Sequence, residues 1–219
     1  MVNKDNIILK IWEDNQIVDK IFWEKIDKKI ILESDSNLKY LVISNDCDID
    51  VEFFCNWNNS YCKVYGIFFS KNKKEIKWNI SVNLSSNYAK TDIYLLWFVA
   101  DDWIIKVRWN INIDKSVMWV SGHLLQENII LWKNIKIDTT PVLNVSSNDV
   151  SASHWAKIQK LDTDKLFYMM SKWLSDDKSK EIIIKWYIDY ILGDLIFDDS
   201  QKQEIENLIL NTLLSKNDR

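Results

Sequence analysis

Pro141-Val-Leu-Asn-Val-Ser-Ser-Asn-Asp-Val-Ser-Ala-Ser-His-Trp-Ala-Lys-Ile-Gln-Lys-Leu-Asp-Thr-Asp-Lys-Leu-Phe-Tyr-Met-Met-Ser-Lys-Trp-Leu-Ser175 decides how this chain folds, because the periodicity changes within it. Its first half belongs to a series of short β-like runs. From Thr163 to Lys172 the apolar residues Leu166, Phe167, Met169 and Met170 fall at helical spacing instead. Asp162 or Thr163 can cap that helix at its N-terminus.

Upstream, from about residue 28, strict alternation marks strands with one buried face. Cys47, Ile49, Val51 and Phe53 alternate with Asp48, Asp50 and Glu52. Ile76, Trp78, Ile80, Val82 and Leu84 form a second such run, and Ile105, Val107, Trp109, Ile111 and Ile113 a third. Clusters of Asn, Asp and Ser punctuate them. A sandwich, a barrel or a β-helix solenoid fits this pattern equally. Downstream, Ser175 followed by Asp176 and Asp177 starts a second helix, with acids well placed for its dipole. That helix runs through Ile182, Ile183, Ile184, Tyr187, Ile188 and Ile191 to about Gly193. Ser200-x-x-Gln203 reads as a capping box before a third helix, whose stripe is Ile205, Leu208, Ile209 and Leu213. The expected division is an N-terminal segment 1–27, a β core 28–158 and a helical region 159–219.

The composition carries an anomaly. The chain has 12 Trp and 3 Gly, where ordinary usage gives glycine about 7% of residues, roughly 15 at this length. Scarce Ala, Pro and Arg beside abundant Ile, Lys, Asn and Asp suggest an AT-rich gene. Such a gene should be poor in the tryptophan codon UGG as well. The reading that resolves this is a code in which UGA means glycine, translated here as tryptophan. Local contexts agree. Asn56-Trp57 and Asp102-Trp103 become Asn-Gly and Asp-Gly turn signals, Trp132 precedes Lys133-Asn134 between apolar runs, and Trp173 sits where a helix ends. Trp78 and Trp109, in phase with the apolar alternation, fit genuine core aromatics equally well.

A net charge of −4 and the absence of long Lys/Arg runs give no footprint for nucleic acid. No apolar run approaches a membrane span, and the N-terminus lacks a leader's apolar region, so a cytoplasmic protein is the expectation. Cys47, Cys55 and Cys62 match no zinc or iron–sulfur ligand spacing and are odd in number, which points to structural thiols. No phosphate-binding G-x-x-x-x-G-K-[ST] survives even with Trp read as Gly.

The quoted stretch resembles the C-terminal signature of the SufB/SufD family, scaffold proteins of the SUF iron–sulfur cluster assembly machinery. That signature runs approximately P-x-L-x-I, D-V-x-x-S-H-G-A, L-D, L-F-Y-L-x-S-R-G-[IL]-S. It is met by Pro141 and Leu143, Asp149-Val150, Ser153-His154-Trp155-Ala156, Leu161-Asp162, Leu166-Phe167-Tyr168 and Ser171-Lys172-Trp173-Leu174-Ser175. Trp155, Trp173 and Trp186 occupy the family's glycine positions, an independent support for the recoding. Upstream, Gly122-His-Leu-Leu-Gln-Glu-Asn128 is weakly similar to the segment before the family's last solenoid turns.

The resemblance implies a right-handed parallel β-helix followed by a small helical region, which selects one of the three β architectures. It also implies a scaffold role without covalent catalysis of its own. The expected partners are a SufB-like paralogue, or a second copy, and a SufC-like ABC-type ATPase. By motif match His154 lies at the cluster and subunit interface, with imidazole suited to iron. Tyr168, Ser171, Lys172 and Trp173 mark the helix end toward the ATPase, and the stripe Ile205–Leu213 is a further candidate surface for it. A transient iron–sulfur cluster at the interface is the implied cargo. The chain departs from the pattern at Ala152, where SufD-type proteins often carry Cys, at Lys172 in place of Arg, and at Gln159-Lys160, where glycine is expected. No Cys follows residue 62, which favours a SufD-like subunit over a SufB-like one. Two rivals remain: a parallel β-helix carbohydrate-active enzyme needs a cluster of acids on one groove, and a Trp-rich carbohydrate-binding module needs exposed indoles on one flat face.

Overall fold

A computed structural model describes residues 2–10, 12–22, 25–45, 47–70, 75–99, 104–131, 136–161 and 163–214. Odd-numbered strands form one six-stranded sheet in the order β1-β3-β5-β7-β9-β11. They are β1 (Val2–Leu9), β3 (Lys25–Leu32), β5 (Ile49–Cys55), β7 (Glu75–Leu84), β9 (Ile104–Ile113) and β11 (Lys136–Val145). Even-numbered strands form the second sheet, β12-β10-β8-β6-β4-β2. These are β2 (Asp14–Ile21), β4 (Asn37–Asn45), β6 (Tyr61–Ser70), β8 (Lys90–Val99), β10 (Val120–Ile130) and β12 (Val150–Lys160). Every pairing is parallel and every strand pairs with the next but one. This is a parallel β-helix-like fold of stacked coils, each giving one strand to each sheet. β1 and β2 carry the solenoid into residues 1–27, where alternation gives no strand signal.

Inward side chains of both sheets fill the lumen, with Ile30, Tyr40, Val51, Phe53, Val64, Ile80, Val82 and Leu95 fully buried. The two outer faces differ. The odd sheet is polar outside, so β3 and β5 alternate buried and open residues. Its outer surface carries in-register amide bonds: Asn112 Nδ2 to Asn83 Oδ1 at 2.9 Å and Asn144 Nδ2 to Asn112 Oδ1 at 2.7 Å. The even sheet is covered outside by helices, which buries Leu41, Ile43, Ile67, Phe69, Leu96 and Phe98 in a second core.

Those helices are α1 (Thr163–Ser171), α2 (Asp176–Leu192) and α3 (Asp199–Leu214). Ser175 caps α2, its Oγ accepting from the Lys178 amide at 3.2 Å. The α3 capping box lies two residues earlier than the Ser200/Gln203 pair. Asp198 Oδ1 accepts from the Gln201 amide at 2.8 Å, and Gln201 Oε1 accepts from the Asp198 amide at 3.1 Å. A carboxylate at the helix N-terminus outcompetes the Ser200 hydroxyl, which donates to Asp198 instead. The apolar stripe of α3 is also turned inward: Ile205, Ile209, Leu210 and Leu213 are buried in the second core, so that stripe is packing surface and not an exposed docking face. Asp162 lies outside the described residues.

Polar ties fasten the helices to the solenoid. Asp194, just after α2, accepts from Lys63 Nζ at 2.9 Å and from the Tyr65 hydroxyl, with Lys39 Nζ at 3.4 Å. Partial burial pushes its carboxyl up, but the hydrogen bonds from Tyr65 and Lys63 and the charges of Lys63 and Lys39 outweigh this and hold it at about 2, below the ordinary 3.8. A depressed carboxylate stabilises the fold above its unfolded value, and that contribution is lost as pH falls through the folded value. Asp194→Asn is therefore expected to lower the urea midpoint at pH 6, with the difference from wild type vanishing as pH falls from about 4 toward 2. The side chain is 40% exposed, so solvent screening keeps the effect on the order of 1 kcal/mol or less.

Candidate functional site

The motif strand β12 ends the even sheet: it pairs with β10, and its other edge has no partner strand among the described residues. Nearly all of it is open to solvent. Val150 and Ala152 pack on the lumen core, so by alternation His154 stands on that same side and Ser153 and Trp155 on the other. The register pairs His154 with Leu124, a buried lumen residue. The ring of His154 is exposed and makes no side-chain hydrogen bond among the described residues. A free imidazole on an unpaired edge is available to a partner, to a metal or to a thiolate. No three His, Cys, Asp or Glu side chains gather into a metal-competent group among the described residues, so His154 would need ligands from elsewhere.

All three cysteines are buried free thiols. Burial pushes the Cys55 thiol up to about 12, only partly opposed by Ser60, and raises that of Cys62 as well. Such thiols stay protonated at neutral pH and are poor ligands and nucleophiles. They belong to the β4–β6 level of the solenoid, remote in the strand order from β12.

The second candidate surface is α1, which has no buried residue. Tyr168 is exposed, Ser171 Oγ donates to the Tyr168 carbonyl at 2.6 Å, and Lys172 Nζ lies 5.6 Å from the Tyr168 ring centroid. Trp173 is 98% exposed. Phe167 and Met170 are exposed beside them; sequence spacing could not separate these from Leu166 and Met169, which pack on the second core. His154 and this helix end sit on separate elements; β12 is tied to α2 by Gln159 Nε2, which donates to the Tyr187 hydroxyl at 2.9 Å.

Two groups stand out among the described tryptophans. Trp12, Trp119 and Trp173 have φ of 63°, 59° and 69°, a left-handed conformation that favours glycine, whereas no written glycine has positive φ. Trp173 is the C′ residue of a Schellman motif: its amide donates to the Met170 carbonyl at 3.1 Å and that of Leu174 to Met169 at 3.4 Å. Trp12 and Trp119 belong to a column along one corner of the solenoid. There Trp12, Asp35, Asn59, Tyr88 and Trp119 are all left-handed, and each amide donates to a carbonyl of the next coil. At the Asn56-Trp57 turn the left-handed residue is Asn59, so position 57 does not need glycine on backbone grounds. Tyr88 shows that the corner accepts a large side chain under strain.

The other group is buried. Trp78, Trp97 and Trp109 surround Phe68 in the lumen, with ring centroids of Phe68 at 3.9, 4.6 and 6.2 Å from theirs. The first spacing is tighter than aromatic pairs prefer. The indole N–H groups of Trp97 and Trp109 are buried with no acceptor, whereas that of Trp78 donates to the Cys47 carbonyl. Trp103 and Trp132 lie outside the described residues. The exposed indoles at 12, 57, 119, 155, 173 and 186 are spread over corner turns, the terminal strand, the turn after α1, and α2. They do not line one flat sugar-binding face.

Residues 23–186 match the sequence model of the SUF system FeS cluster assembly SufBD core domain. The chain is 25% identical over 95 residues to the iron-sulfur cluster assembly protein SufD of Escherichia coli, covering 43% of this chain and 22% of that protein. It is 31% identical over 74 residues to a SufBD family protein of Pyrococcus horikoshii, covering 34% and 17%. A SufBD family protein of Synechocystis is 26% identical over 83 residues, covering 38% and 18%. The matched stretches thus span about a fifth of the length of these relatives.

Proposed function

The chain belongs to the SUF-system SufBD core-domain family, and from that premise we propose that it is a SufD-like scaffold subunit of iron–sulfur cluster assembly. It pairs with a SufB-like subunit through the open β12 end and docks a SufC-like ATPase on the helical region. The observation that carries this reading is the placement of the motif histidine: His154 is solvent-exposed on the unpaired terminal strand, where a second subunit reaches it. The cluster is cargo, held transiently between subunits with ligands from both. The subunit performs no covalent step of its own, and the complex is cytoplasmic. No helix among the described residues is long and apolar enough to cross a membrane.

The ATPase meets α1 at Phe167, Tyr168, Met170 and the turn Ser171-Lys172-Trp173. An exposed apolar patch of this kind, on a helix with nothing buried, marks a partner surface. ATP binding changes the geometry at the subunit interface only in so far as it favours one arrangement of the complex. We also propose that Trp12, Trp119, Trp155, Trp173 and Trp186 are glycines in the native protein, encoded by UGA. Left-handed geometry supports the first two and Trp173, and motif position supports Trp155, Trp173 and Trp186.

Co-expression with an ABC-type ATPase of a SUF operon, followed by affinity capture of this chain, tests the role. The wild-type chain is expected to retain the ATPase. Phe167→Glu with Met170→Glu is expected to lower the affinity by about 30-fold or more, the scale of a lost hot spot. A folded chain that captures no ATPase, read with tryptophan or with glycine, contradicts the proposal.

A further inference from the structure

His123 lies outside the C-terminal signature, yet its side chain reaches the first half of the signature strand. On the outer face of the even sheet it stands in register with Asp92 of β8 on one side and Ser153 of β12 on the other. Its Nδ1 is 2.8 Å from Ser153 Oγ. Among the described residues this is the one side-chain hydrogen bond made by residues 150–156. The other side-chain ties of β12 to its surroundings come later in the strand, at Asn128 Nδ2 to the Lys157 carbonyl, 3.1 Å, at the Glu127–Lys157 pair, 3.8 Å, and at Gln159 Nε2 to the Tyr187 hydroxyl, 2.9 Å.

A terminal strand has a ladder on one edge only, so its first half depends on few contacts and opens at lower free energy than the interior strands. Ser153 and His154 are consecutive, and their side chains leave opposite faces of β12. Whatever fixes Ser153 on the outside therefore keeps the His154 side chain on the lumen side. We propose that His123 is a positioning residue: by holding Ser153 it locks β12 onto β10 and presents His154 in one orientation to the partner subunit. This rests on the reading of His154 as the interface histidine.

The test uses the full chain and four variants. His123→Ala and Ser153→Ala each remove the bond, as does the double variant. His123→Asn keeps a cross-strand partner, since in-register Asn bonds of 2.9 and 2.7 Å already hold the opposite sheet together. Amide hydrogen exchange at residues 151–156 is measured against β8 in the same molecule. The expected result is exchange about 2–10-fold faster in either alanine variant, the range for one net hydrogen bond, with no further gain in the double variant. His123→Asn is expected to restore most of the protection. The chain has 2 histidines, so in both His123 variants the imidazole NMR signals are those of His154 alone. They are expected as one sharp set in His123→Asn and as split or broadened signals in His123→Ala. Unchanged exchange and one sharp His154 set in His123→Ala overturn the proposal. If His123→Ala destabilises the whole chain, seen as faster β8 exchange, Ser153→Ala decides by the same criteria. Neither readout needs a partner, so failure of ATPase or subunit capture leaves this test standing.

Discussion

Replacing Trp12, Trp119 and Trp173 together by glycine is expected to raise the stability of the recombinant tryptophan-containing chain by about 2–3 kcal/mol. A left-handed backbone costs a side-chain-bearing residue about 1–2 kcal/mol. Glycine removes that strain, and the greater freedom of its unfolded chain returns roughly 0.5–1 kcal/mol of the gain at each site. The three indoles are 63–98% exposed, so little packing is lost with them. The sites lie on two corner turns and a helix end, far enough apart for their effects to add. Asn59→Gly and Asp35→Gly, at the same corner, serve as controls and are expected within about 0.5 kcal/mol of wild type, because short polar side chains tolerate this conformation. Urea unfolding at neutral pH reads all of these. A triple variant no more stable than its parent shows that the corner imposes no strain.

The largest single loss is expected inside the solenoid, at Lys28→Met. Lys28 is 7% exposed on the lumen side of β3, and its Nζ lies 2.7 and 2.6 Å from the two carboxylate oxygens of Asp19 on β2. The buried Tyr40 hydroxyl donates to the same carboxylate at 2.5 Å. Removing one member of such a pair strands the other charge, at a cost of about 3–5 kcal/mol. Lys28→Met combined with Asp19→Leu removes both charges. It is expected to recover most of the loss, less what the Tyr40 hydroxyl forfeits with its acceptor. A Lys28→Met chain as stable as wild type contradicts the placement of these strands around one lumen.

The two sheets were not equally legible in the sequence, for a physical reason. The alternating runs at 47–53, 76–84 and 105–113 correspond to β5, β7 and β9, all in the odd sheet, whose outer face meets water. In the even sheet, Tyr40 to Ile43 and Leu95 to Phe98 are buried on both faces. Two-sided burial erases alternation and leaves a continuous apolar run that periodicity cannot assign. The corner column was invisible for another reason: its occupants Trp, Asp, Asn, Tyr and Trp share a backbone conformation and no chemistry. Of the candidate site, the motif located His154 and the end of α1. The partnership of His123 with Ser153 depends on register between strands thirty residues apart, which a single sequence does not encode locally. The helical tail was legible in the Ser175 cap and the buried isoleucines of α2, but not at α3. There a stripe fit for a partner proved to be the seam against the solenoid.

The left-handed backbone at positions 12, 119 and 173 is the geometry that glycine adopts without strain. Peptide sequencing by mass spectrometry, on this protein purified from its native host, tests most directly whether glycine stands there. Glycine at positions 12, 119, 155, 173 and 186 is the predicted result. Tryptophan at positions 119 and 173 would contradict it.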